Sequence, residues 1–179
     1  MFNAPTVTAV EPQDDIDGEW TKCSSETAAD YSAVAFFFAR KLHLELGIPI
    51  GVIKTAWGGK PVETFTSRGA LNTLPETKEM VDAGLTADAE YNAARAQAAY
   101  LARLDQWQAE ASDRRKLPAE QRRALPRKPS PPKRPLETEG KPGVLFNSMI
   151  HPFVGYTMRG AIWYQGEANA KPGAVPYDQ

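Results

Sequence analysis

Cysteine, histidine and long apolar runs are what this sequence has little of. A single cysteine, Cys23, in 179 residues excludes an intramolecular disulfide. With only His43 and His151 beside it, there is no Cys-x-x-Cys or His-Glu-x-x-His spacing to hold a metal, so no metal and no cofactor is expected. No apolar run approaches the roughly 18 to 20 residues that a membrane helix needs. The start, Met1-Phe2-Asn3-Ala4-Pro5, has neither a charged n-region nor an apolar h-region. The expectation is a chain that neither spans a bilayer nor opens with a signal peptide. An excess of one charge is missing too. Lys+Arg 21 against Asp+Glu 22 leaves a formal −1, which argues against a generally basic nucleic-acid binder. What is present is ordinary for one globular domain: 42% hydrophobic residues with 9% aromatics.

The mean charge conceals one basic block. Seven of the fifteen prolines fall between Pro118 and Pro142, in a stretch preceded by Arg114, Arg115 and Lys116 and almost without aliphatics, which predicts an extended, solvated excursion. Before it, from about Pro75 to Arg115, Ala-rich sequence carries Tyr91, Tyr100, Leu101, Leu104 and Trp107 at helical intervals, which predicts one or two amphipathic helices. Residues 73–141 therefore read as an insertion between two compact parts, 1–72 and 142–179.

The first part opens irregularly to about Ser25. Tyr31, Val34, Ala35, Phe38, Leu42 and Leu46 then line one helical face, with Thr27 or a nearby Ser as cap, Asp30 in the first turn, and Gly47 and Pro49 as the stop. Gly51-Val52-Ile53-Lys54-Thr55-Ala56-Trp57 follows as a buried strand ending at Gly58-Gly59. The second part repeats the order: a helix from Asn147 to about Met158, a strand Gly160-Ala161-Ile162-Trp163-Tyr164-Gln165, then Gly166. Helices alternating with short apolar strands point to an α/β domain with a parallel sheet, whose strand-end loops open on one rim.

Two loops could carry chemistry. Glycines after a buried strand, Gly58 and Gly59, leave backbone N–H groups unshielded, as a developing oxyanion requires; a plain turn is the alternative. A phosphate-binding loop fits poorly, because Pro61 follows Lys60 and Lys54 stands where a glycine is needed. At the other loop, Gln165, Glu167 and Asn169 follow Trp163 and Tyr164. Their polar groups either tie loops together or act on a ligand, since burying such groups unpaired costs about 1 to 3 kcal/mol each.

Five stretches carry a resemblance: Tyr31-Ser32-Ala33-Val34-Ala35-Phe36-Phe37-Phe38-Ala39-Arg40-Lys41-Leu42-His43; Leu46-Gly47-Ile48-Pro49-Ile50-Gly51-Val52-Ile53; Trp57-Gly58-Gly59; Phe146-Asn147-Ser148-Met149-Ile150-His151-Pro152; and Trp163-Tyr164-Gln165-Gly166-Glu167-Ala168-Asn169. In this order they resemble the sialate O-acetylesterase family of carbohydrate esterases, within the SGNH hydrolases, over residues 19–71 and 142–179. Lys60 departs from the family's frequent Thr, and Phe65 from its usual Trp. The resemblance implies a three-layer, flavodoxin-like parallel-sheet core, incomplete here, interrupted by the helical and Pro-rich insertion. It implies metal-free hydrolysis of acetyl esters on sugars by a Ser-His-Asp mechanism, with Gly58 or Gly59 N–H and the Gln165 amide as oxyanion donors. Glu167 would support that amide, and Asn169, Tyr164 and His151 would line the substrate cleft.

The family's Gly-Gln-Ser-Asn and Asp-x-x-His blocks are absent. Ser24, Ser25, Ser32, Ser67, Ser112, Ser130 and Ser148 all lack a preceding Gly-Gln or Gly-Asp, and the residues three before His43 and His151 are Arg40 and Ser148. The expectation is an internal piece of a longer enzyme, inactive and poorly stable alone, from a family that is frequently exported. A separate reading makes the basic arm from about Arg114 to Arg134 a binding module for acidic surfaces. With no interleaved aromatics, it is not a nucleic-acid site.

Overall fold

A computed structural model describes residues 1–121, 124 and 126–170. Its sheet is small. Strand β1 (Phe2–Asn3) pairs in parallel with strand β2 (Ile53–Lys54), Phe2 opposite Ile53 and Asn3 opposite Lys54. Phe2 N–H donates to Val52 O at 2.8 Å and Ala4 N–H to Lys54 O at 2.9 Å. β1 lies inside the stretch expected to be irregular. Two residues show no periodicity of their own, and they become a strand only because Ile53 brings an edge to pair with. The expected strand over 51–57 contracts to β2, which is half-buried and not fully enclosed.

Helix α1 (Ala33–Leu46) forms where expected. Ser32 caps it, its hydroxyl accepting from Ala35 N–H, in place of Thr27, and Asp30 sits in a separate short turn, Ala28–Asp30. Gly47 ends the helix at φ 67°, a left-handed residue that glycine adopts without the Cβ penalty, its N–H closing on His43 O. No residue of α1 is buried, however, and Val34, Phe38 and Leu46 of the expected apolar face lie exposed.

Helix α2 (Arg68–Leu71) leads into α3 (Pro75–Ala89) and α4 (Ala93–Lys116), so the Ala-rich stretch is two helices. Asn92 caps α4, its Oδ1 accepting from Arg95 N–H at 2.8 Å. The Pro-rich segment is less solvated than expected. Leu136 is buried beside Gly84 of α3, Leu136 N–H donates to Asp88 Oδ1 at 3.2 Å, and Arg134 Nη2 lies 2.6 Å from Asp88 Oδ2. Apolar and ionic anchors together dock a segment whose composition alone reads as linker.

The core gathers Phe2, Ala4, Val144, Leu145 and Met149, with Ile16, Ile53, Trp57, Phe65 and Phe153 packed against it. The expected helix from Asn147 to Met158 is instead a wide π turn, Phe146–Ile150, followed by a tight turn, His151–Phe153. Pro152 explains the break, because it lacks an N–H and its ring collides with the preceding turn. The expected strand over 160–165 is absent among the described residues, and Ile162, Trp163 and Tyr164 are exposed. A strand exists only by pairing, and no described segment lies alongside. Residues 171–179 of the expected second part, and Arg122 and Arg123 of the arm, lie outside the described residues.

Candidate functional site

The two loops meet. Trp57 enters the core and the chain turns at Gly58 and Gly59, where Gly59 takes φ 72°. A Cβ at either glycine would touch nothing, both residues are exposed, and among the described residues neither N–H has an acceptor. Lys60 is pinned over the Trp57 ring, its Nζ 5.1 Å from the centroid and 3.4 Å from Glu139 Oε1. The Glu139 carboxyl is held below its ordinary value by its own backbone N–H and then by Lys60.

From the other side come Gln165 and Asn169. Gln165 Nε2 donates to Asn169 Oδ1 at 2.6 Å and to Lys60 O at 3.3 Å. Asn169 Oδ1 also accepts from Val62 N–H at 2.9 Å. Asn169 Nδ2 reaches both oxygens of Glu63, at 3.0 and 3.1 Å. Glu63 is 4% exposed and sits in the turn Val62–Phe65, and its backbone O accepts from Gly143 N–H at 2.9 Å. An open groove of about 470 Å³ runs past Gln165, Gly166 and Asn169 against Val62, Leu71 and Leu74.

The expected residues are therefore partly assembled. Gly58, Gly59, Gln165 and Asn169 share one rim. In this arrangement both Gln165 amide protons are occupied, the longer bond being the one to Lys60 O, so a ligand oxygen would have to displace that carbonyl. Glu167 is exposed and Tyr164 is 78% exposed. His151 turns to the N-terminal segment, its Nδ1 3.0 Å from Gln13 O and its ring against Phe146. Trp57 packs on the core, whereas Trp163 is 60% exposed and meets Phe65 edge-on at 6.5 Å. Cys23 is exposed.

Glu63 is the participant that sequence reasoning missed. Its signal was an acid between Val62 and Thr64, just after a core aromatic and two glycines, where burial demands a donor.

No protein-family profile matches the chain. Among curated proteins, the sialate O-acetylesterase of Rattus norvegicus is 29% identical over 180 residues, covering 95% of this chain and 29% of that protein. The sialate O-acetylesterase of Homo sapiens is 26% identical over 159 residues, covering 86% of this chain and 21% of that protein. Among solved structures, a carbohydrate acetylesterase from Xanthomonas citri has a similar fold, with TM-score 0.58 at 23% identity, covering 97% of this chain and 26% of that one. The chain thus spans less than a third of the length of these relatives. Together with the ordered words around Gly59 and Gln165, these matches make the chain similar, along most of its length, to sialate O-acetylesterases.

Proposed function

We propose that this chain supplies the oxyanion-stabilising rim of a serine esterase that removes acetyl groups from carbohydrates, and that it is inactive by itself. The observation that carries the reading is the union of the two loops, 58–62 and 165–169. The unshielded N–H groups of Gly58 and Gly59 stand on a loop that is hydrogen-bonded, through Lys60 and Val62, to Gln165 and Asn169. Preorganised neutral donors of this kind hold the charge that develops on an acetyl carbonyl oxygen when a hydroxyl adds to the carbonyl carbon. The Lys60 carbonyl, at 3.3 Å, is the contact a substrate oxygen would replace at Gln165.

Attack needs a nucleophile activated by a base, and neither His43 nor His151 has a serine partner here. Their Nδ1 atoms contact Ile48 O and Gln13 O. In this reading the serine and the Asp-His pair belong to polypeptide beyond this sequence, and the two-stranded sheet is a corner of a larger three-layer core with strands on both sides. The apolar surfaces of α1 and of residues 154–164 are then faces that this larger core covers.

The test is hydrolysis of an acetylated sugar by this chain and by a form extended with a Gly-Gln-Ser-Asn block before it and an Asp-x-x-His block after it. The short form gives no turnover and the long form does, and Gln165→Ala in the long form lowers kcat by about 10² to 10³. An inactive long form that is folded would defeat the proposal.

A further inference from the structure

Glu63 is an acid buried to 4% exposure, and the side-chain donor facing it is a neutral amide. Both Glu63 oxygens take Asn169 Nδ2, at 3.1 and 3.0 Å, which turns the Asn169 oxygen away. Val62 N–H, donating to that oxygen at 2.9 Å, imposes the same orientation from the opposite side. The oxygen then takes Gln165 Nε2 at 2.6 Å, so the Gln165 nitrogen faces inward along the rim and its remaining N–H points at Lys60 O.

Each carboxamide has two ends of nearly equal size, and shape alone does not choose between them. The choice is held at its two ends by groups of fixed polarity, the Val62 N–H that only donates and the Lys60 carbonyl that only accepts, while the Glu63 oxygens hold the Asn169 nitrogen. Glu63 is also fixed in space, since its own carbonyl accepts from Gly143 N–H at 2.9 Å.

We infer that Glu63 is a positioning residue: acting through Asn169, and alongside Val62 N–H and Lys60 O, it fixes which end of the Gln165 carboxamide is presented at the rim. The inference rests on the reading of Gln165 as an oxyanion donor only for its catalytic meaning; the coupling itself is a property of this chain.

The experiment follows the Gln165 side-chain NH₂ by ¹⁵N NMR in the chain as it stands, measuring its exchange with solvent. Methyl signals of Val144, Leu145 and Met149 report on the core. Glu63→Gln replaces the two acceptor oxygens by an amide that can set its own nitrogen against Asn169 Nδ2, which leaves Asn169 held by Val62 N–H alone, so Gln165 exchange quickens by about tenfold, the effect of weakening one hydrogen bond to a charged group. Asn169→Asp alone sets two carboxylates face to face and does the same or more. The double variant Glu63→Gln/Asn169→Asp reverses the first link while keeping an acceptor for Val62 and Gln165, so exchange returns to the parent value.

Unchanged exchange in Glu63→Gln overturns the inference. So does a double variant that fails to restore it, whether folded or not. Where a single variant loses its core signals, the double variant decides in the same way, because a merely structural carboxylate gains nothing from a reversed partner. No ester is consumed, so a chain that shows this coupling while its extended form hydrolyses nothing keeps the inference and loses the esterase reading.

Discussion

Segment 144–149 and helix α1 both read as apolar, yet Val144, Leu145 and Met149 are fully buried while Phe37, Leu44 and Leu46 are 58 to 65% exposed. The difference separates what a sequence does locally from what it does by association. α1 needs only Ser32 at one end, Gly47 at the other and helix-compatible residues between them to be written as a helix. Such a helix of 14 residues is marginal without a packed face. The turn at 146–150 has poorer local geometry, but Phe2 of β1, Ala4 just after it and Phe153 close over it, and it becomes the centre of the molecule.

The sharpest way to break this contrast is truncation on each side of it. Leu145→Ala removes a side chain with no exposure and is expected to cost 2 to 5 kcal/mol, about the range for a buried leucine, read as a fall in the urea midpoint. Phe37→Ala, at 65% exposure, is expected to move that midpoint by about 0.5 kcal/mol or less. Equal losses would mean that α1 is covered in solution.

A second test asks whether the docked Pro-rich segment belongs with the buried region or the bare one. Asp88→Ala strips the acceptor from the buried Leu136 N–H and is expected to cost about 1 to 3 kcal/mol. Asp88→Asn keeps that acceptor and loses only the half-exposed Arg134 pair, an effect of about 1 kcal/mol or less in the same denaturation experiment. If the two variants are equally destabilised, the ion pair and not the backbone bond holds the segment.

The smallest effect is expected at Glu139. Its folded value lies below the ordinary 4.5, so the folded state binds fewer protons than the unfolded one in the interval between the two values, and stability rises with pH there. The contribution is complete above about pH 4.5 and is lost as pH falls through the lowered folded value. Lys60→Met should move the Glu139 titration, followed by carboxyl ¹³C NMR, back toward 4.5 without abolishing the shift, because the backbone N–H remains.

Legibility in the sequence follows the same division. α1, its glycine stop, the two helices before the Pro-rich block and the approach of the two loops were readable, because caps, periodicity and strand-end glycines are local signals. β1 was not, since Phe2 and Asn3 acquire their role from Ile53 and Lys54, some fifty positions away. The strand expected over Gly160 to Gln165 is missing because no described segment lies beside it. The helix expected through Pro152 breaks there, because proline has no N–H to carry the helical ladder onward. At the rim, Gln165 and Asn169 were legible as polar groups after aromatics. Their mutual bond and the carboxylate behind them were not, because hydrogen-bond partners more than a hundred positions apart leave no spacing to read.

The bond from Gly143 N–H to Glu63 O closes the two ends of a long loop on each other, and Lys60 with Glu139 and Thr8 with Glu137 fasten it close by. α3 and α4 lie within that loop. Lengthening or trimming such a loop changes the entropy of closing it only logarithmically, so this stretch can drift in size and composition while the residues on either side of the clasp keep their places.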